Sequence, residues 1–108
     1  MTEKEIQTEI LNYLHENDYF AWKNHTGGIH RRGQRTATNP NKGAPDIFAI
    51  KDGTFYGIEV KRPGGVVASH QYDWLGKLRE HGGVAIIADS LVACLTGIKE
   101  GAIRWEGS

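Results

Sequence analysis

Residue by residue, the chain points to an α/β fold: a mixed sheet flanked by helices, in the order α-β-β-β-α-β. Three features predict it. Asp52-Gly53 sits between two short runs with alternating apolar residues. A type I′ turn needs positive φ at both central positions, which makes this dipeptide a strong hairpin signal. Val84-Ala85-Ile86-Ile87-Ala88 is a continuous apolar run behind a helical stretch, the pattern of a buried strand reached by a crossover helix and lying parallel to its neighbour. Thr2 and Glu5 stand ahead of apolar residues at helical spacing, as in a capping box.

In chain order, the first helix is expected from about Glu3 to Glu16, with Ile6, Ile10, Leu11 and Leu14 as its buried stripe. Gln7 shares that face, whereas Glu5 and Glu9 point toward its flank. Asn17-Asp18 ends the helix, and the aromatic-rich stretch Tyr19 to Asn24 reads as a strand beside the hairpin. If Lys51 and Thr54 close the hairpin turn, Ile50 faces Phe55, Phe48 faces Gly57, and Asp46 faces Glu59. Ile47, Ala49, Tyr56, Ile58 and Val60 then form a face suited to packing under a helix. Arg62-Pro63-Gly64-Gly65 breaks the strand, and Ser69 is the expected N-cap of a helix from about His70 to His81. Leu75 and Leu78, with Tyr72 or Trp74, face the core, and the helix closes at Gly82-Gly83. Ser90 is expected to cap a last helix through about Lys99, and Ala102 to Trp105 to add a short edge strand.

At 108 residues the chain is expected to form one domain, residues 1–108, with a modest core. Thirteen Lys and Arg balance 13 Asp and Glu, which excludes a uniformly basic nucleic-acid binder but not regional segregation of charge. Such segregation is present. His25 to Lys42 contains Arg31, Arg32, Arg35 and Lys42 and no acid. A connection of this length is usually functional or disordered. It is expected to track a phosphate backbone, with a solvated loop as the alternative. One cysteine, Cys94, cannot form an internal disulfide and reads as a small core residue. With no paired ligand spacing, His25 and His30 do not make a structural zinc site. No apolar run reaches the about 18 residues of a membrane span, and Met1-Thr2-Glu3-Lys4 does not begin as a signal peptide. A cytoplasmic protein is the expectation. Trp22, Trp74 and Trp105 read as core or interface anchors.

The register also has a chemical consequence. Directly opposed carboxylates repel unless something between them compensates, and a hard divalent cation with oxygen ligands does so. Side chains alternate along a strand, so Lys61 falls on the same face as Glu59, diagonal to Asp46. The alternative is a solvated edge acid with a salt-bridge partner.

Pro45-Asp46, a hairpin, then Glu59-Val60-Lys61 resembles the P-D and E-x-K signature of the PD-(D/E)XK nuclease superfamily. GAPDIFAI, GIEVKRPGG, Gln71 early in the following helix and WKNHTGG upstream are together similar to the VRR-NUC family, over roughly Glu5 to Asp89. That family's members are metal-dependent nucleases, known as small stand-alone phage-type proteins and as the catalytic domain of the Fanconi-associated nuclease. The resemblance implies a restriction-endonuclease-like core. It also implies that Asp46, Glu59 and the Val60 carbonyl hold one or two Mg²⁺ or Mn²⁺ ions. Lys61 would position the nucleophile or stabilise developing charge, and Gln71 would orient Lys61 or a phosphate. The first helix of related nucleases commonly carries a glutamate that reaches the metal site. Gln7 stands in the expected place, with Glu3, Glu5 and Glu9 as rivals; a glutamine brings an oxygen but no charge. The implied reaction is hydrolysis of a DNA phosphodiester. Small stand-alone members resemble junction resolvases, which implies branched DNA, a homodimer and a role in DNA repair. A non-catalytic DNA-binding module and a sequence-specific restriction-type endonuclease are the alternatives.

Overall fold

The computed structural model describes residues 1–24 and 42–104. Helix α1 (Glu3–Glu16) opens on the expected capping box: the Thr2 hydroxyl accepts from the Glu5 N–H, and Glu5 Oε1 accepts from the Thr2 N–H. Ile6, Ile10 and Leu14 are buried along one side. Strand β1 (Phe20–Lys23) follows and pairs antiparallel with β2 (Ile47–Lys51), Phe20 opposite Ile50.

Strands β2 and β3 (Thr54–Val60) form the hairpin in the expected register, with Ile50 opposite Phe55 and Phe48 opposite Gly57. Asp52 and Gly53 have φ of 50° and 80°, the positive values that a two-residue type I′ turn demands. Helix α2 (Ser69–Glu80) then crosses over, and β4 (Val84–Ala88) lies parallel to β3. The four described strands run β1-β2-β3-β4.

One face of the sheet is the core. Ala21, Ile47, Ala49, Tyr56, Ile58, Val60, Val84, Ile86 and Ala88 are all buried there, with Ile6, Ile10 and Leu14 of α1 and Cys94 of α3 (Leu91–Arg104). Cys94 is fully buried, and burial pushes its thiol up to about 12. The opposite face carries aromatics: the Trp22 ring lies 5.7 Å from Phe48, and Phe48 lies 5.3 Å from Phe55 and 5.6 Å from Trp74 of α2. Helix α2 approaches this face over Gly57, where a Cβ would meet Leu78 Cδ2 at 2.6 Å and Pro45 Cγ at 2.9 Å.

Three local expectations are corrected. Ser69 is the first residue of α2, not its cap; Ala68 stands at the cap position, and its N–H is satisfied by Gln71 Oε1 from inside the helix. The edge strand expected at Ala102 to Trp105 is helix as far as Arg104. Gly97 and Gly101 bring α3 against Ile86 and Val84 at successive turns, so the helical face continues past Lys99. Finally, β4 is not covered on both faces. It lies at the margin of the described sheet, and Ile87 is 41% exposed. A cleft lined by Tyr72, Leu75 and Gly76 of α2 with Ala85 and Ile87 remains on that side.

Candidate active site

The two carboxylates meet at the end of the hairpin farthest from its turn. Asp46 immediately precedes β2, and Glu59 is the penultimate residue of β3. Asp46 is pinned from both ends: its Oδ2 accepts from the Val60 N–H at 2.8 Å, and its backbone carbonyl accepts from the Asn24 N–H at 2.7 Å. In an extended strand the N–H and C=O of one residue leave on the same side. The Val60 carbonyl therefore faces the Asp46 side as well.

Glu59 is the electrostatic anomaly. Its residue is 2% exposed, and its carboxyl is pushed up to about 8. Burial is the largest cause, followed by the charge and close approach of the Asp46 carboxyl; Lys61 opposes the shift and Glu3 adds to it. One Glu59 oxygen, Oε1, is held by Gln71 Nε2 at 2.9 Å and lies 3.8 Å from Lys61 Nζ. The other, Oε2, is buried with no hydrogen-bond partner.

Gln71, expected to orient Lys61 or a phosphate, is hydrogen-bonded to Glu59 in this structure. Its carbonyl oxygen takes the Ala68 N–H and its amide nitrogen serves Glu59, so both ends of the amide are fixed. The Lys61 backbone N–H bonds to Ala88 O at 3.0 Å, which fixes the root of that side chain against the end of β4.

Helix α1 sorts its own candidates. Glu5 is committed to the capping box and Glu9 is exposed. Glu3 Oε1 accepts from the Arg62 N–H at 3.4 Å, just past the end of β3. Gln7 lies one turn after Glu3, hence on the same helical face. It is 8% exposed, and its Oε1 is buried without a partner. Lys42 is exposed beside Gly43, which lies against the His70 backbone at the start of α2. Arg31, Arg32, Arg35, His25 and His30 lie outside the described residues, as does Trp105.

Two buried acceptors without donors, Glu59 Oε2 and Gln7 Oε1, are unusual, because buried polar atoms are ordinarily paired. The donor chemistry fits a hard cation. Among the described residues no group of three or more His, Cys, Asp or Glu side chains is placed to hold a metal. A cation here would rest on two carboxylates and supplementary oxygens, as Mg²⁺ commonly does with water and substrate phosphate. The aromatic layer on the Glu59 face was missed as a unit. Its signal was the shared parity of Phe20, Trp22, Phe48 and Phe55 once the register was known.

No family model matches the chain, and no curated protein matches it significantly. Solved structures do. A VRR_NUC domain is similar at 18% identity with a TM-score of 0.65, covering 92% of this chain and 97% of that one. Hjc, a Holliday junction resolvase from the archaeal hyperthermophile Archaeoglobus fulgidus, is similar at 20% identity with a TM-score of 0.55, covering 79% of this chain and 65% of that one. This chain shares the α/β fold of these two structures.

Proposed function

We propose that this protein is a divalent-metal-dependent deoxyribonuclease that hydrolyses phosphodiester bonds within branched DNA. One observation carries the reading. Glu59 is buried beside Asp46 with one carboxylate oxygen unpartnered, and a buried carboxyl beside a second one resists ionising despite the Lys61 ion pair. A bound Mg²⁺ or Mn²⁺ resolves that conflict, and the surrounding fold is one seen in nucleases.

Asp46 and Glu59 would hold the cation, with the Val60 carbonyl and Gln7 Oε1 as neutral oxygens. When bound, it supplies acidification of a water and neutralisation of charge on the scissile phosphate. The protein's own groups set the geometry. Gln71 holds Glu59 Oε1 and leaves Oε2 directed elsewhere. Lys61, within 3.8 Å of the same carboxylate, would place its ammonium against the phosphate and stabilise the charge that develops there. The basic segment containing Arg31, Arg32, Arg35 and Lys42 would track the DNA backbone.

Branched substrate is supported by similarity to a Holliday junction resolvase. Paired nicks on two strands require two sites, and a symmetric homodimer is the commonest way to supply them. The deciding experiment compares a labelled four-way junction, a flap and linear duplex, each with Mg²⁺ or Mn²⁺, for wild type and Lys61→Ala. Metal-dependent junction cutting that is lost in the variant supports the proposal. Cutting confined to duplex or flap rejects the branched substrate. Tight binding without cutting in any metal indicates a binding module. A strict monomer at micromolar concentration by light scattering counts against junction resolution.

A further inference from the structure

The motif Lys61-Arg62-Pro63-Gly64-Gly65 does more than end a strand. Beyond Val60 the chain turns on itself, the Gly65 N–H bonding to Arg62 O at 2.8 Å. This turn and the start of α1 border an open, shallow cleft of about 670 Å³. Met1, Thr2, Glu3 and Lys4 line one side, and Lys61, Arg62, Gly65 and Val66 line the other. Three cationic side chains therefore line it with one carboxylate. That carboxylate is tethered, since Glu3 Oε1 accepts from the Arg62 N–H, while the Lys4 and Arg62 residues are exposed. Gly65 keeps the turn tight: a Cβ there would stand 3.0 Å from Arg62 O and 3.4 Å from Lys61 Cβ.

Lys61 belongs both to this cleft and to the Glu59 ion pair, so one side chain links the cleft to the carboxylates. Successive phosphates of one strand must occupy adjacent positions, and a scissile phosphate at Asp46 and Glu59 forces its neighbour to a place beside them. We infer that this cleft is a phosphate subsite: Lys4 and Arg62 take the internal phosphodiester next to the scissile one on the strand being cut, with Val66 against the sugar. The inference rests on the nuclease reading for its register along DNA, while the anionic ligand follows from the cleft itself.

The test uses Lys4→Ala, Arg62→Ala, the double variant and a distant control, Lys99→Ala. Binding of a fluorescent junction is followed by anisotropy against salt in Ca²⁺, each sample being checked on a gel for cutting. The double variant should bind about tenfold more weakly with a salt slope reduced by about 1, the value for one phosphate that is no longer neutralised. Lys99→Ala should match wild type. In Mn²⁺ the double variant should show KM raised about tenfold with kcat changed less than about twofold, the sign of lost uniform binding. A single uncharged methylphosphonate next to the cut position should weaken wild type and leave the double variant unaffected. A double variant that binds and cuts like wild type, or a wild type indifferent to uncharged linkages at every position, overturns the subsite. A preference of wild type for 5′-phosphorylated over 5′-hydroxyl ends, lost in the double variant, overturns the internal assignment in favour of a strand terminus. Salt and variant effects as expected, with no cutting in any metal, would keep the subsite and remove the nuclease reading alone.

Discussion

The two faces of the β2–β3 hairpin are built from the same two strands and obey opposite rules. On one, Ile47, Ala49, Tyr56, Ile58 and Val60 are buried beside α1 and Cys94 of α3, and none of them carries a carboxylate or an amine. On the other, Phe48, Phe55 and Gly57 give way to Glu59, a carboxyl raised to about 8 with an oxygen that nothing satisfies. The first face is arranged for stability. The second holds a local conflict that packing alone does not justify, and this contrast is why it is proposed as the working face.

The largest effects should separate the faces outright. On the working face, Lys61→Ala or Glu59→Gln should slow junction cutting by at least about 10²–10³-fold under single turnover, as loss of a transition-state electrostatic partner does, while the variant stays folded by circular dichroism. On the core face, Ile58→Ala should lower stability by about 2–5 kcal/mol in urea unfolding. Cutting at a temperature where that variant remains folded should be near normal. Equal behaviour of the two classes would break the distinction.

Gly57 tests where the faces meet, because α2 sits on it. Gly57→Ala should lower stability by about 1–3 kcal/mol through overpacking, read from the urea midpoint. A neutral result would mean that Leu78 and the Pro45 ring move aside freely. A smaller effect is pH-dependent. Between about 4.5, where the Glu59 carboxyl ionises ordinarily, and about 8 in the fold, the native state holds a proton that the unfolded chain has released. The Glu59 contribution to stability of the metal-free protein should therefore be fully present below the lower value and be lost as pH rises through the upper one. Glu59→Gln should flatten this slope, and Mn²⁺ should raise the melting temperature of wild type at pH 8 far more than that of the variant. Smallest of all, Thr2→Ala should remove only a cap, about 1 kcal/mol, without affecting the distinction between the faces.

Much of this was legible in the sequence because hairpin geometry is discrete. Asp52-Gly53 fixes one register, and a one-residue slip would reverse every side chain; the pairs from Ile50 to Phe48 and the convergence of Asp46, Glu59 and Lys61 follow. What escaped depended on how separate elements meet. Ser69 looks like a cap, yet the cap hydrogen bond comes from Gln71, a residue whose other end is engaged by Glu59. The last helix extends past Lys99 because two glycines fit against Val84 and Ile86, and glycine otherwise argues against a helix. VAIIA reads as a fully buried strand because hydrophobicity does not reveal how far α2 extends across the sheet, and it leaves Ile87 partly uncovered. Likewise, nothing in the string KRPGG shows that Lys4 lies across a cleft from it.

Cys94, the one cysteine in 108 residues, gives the fold a built-in clock. A thiol fully buried between α3 and the sheet, and pushed up to about 12, reacts with an alkylating reagent only after the core opens. The labelling rate thus reports opening of the layer beneath the working face without an introduced probe, and it can be followed as metal or DNA is added on the other side of the sheet.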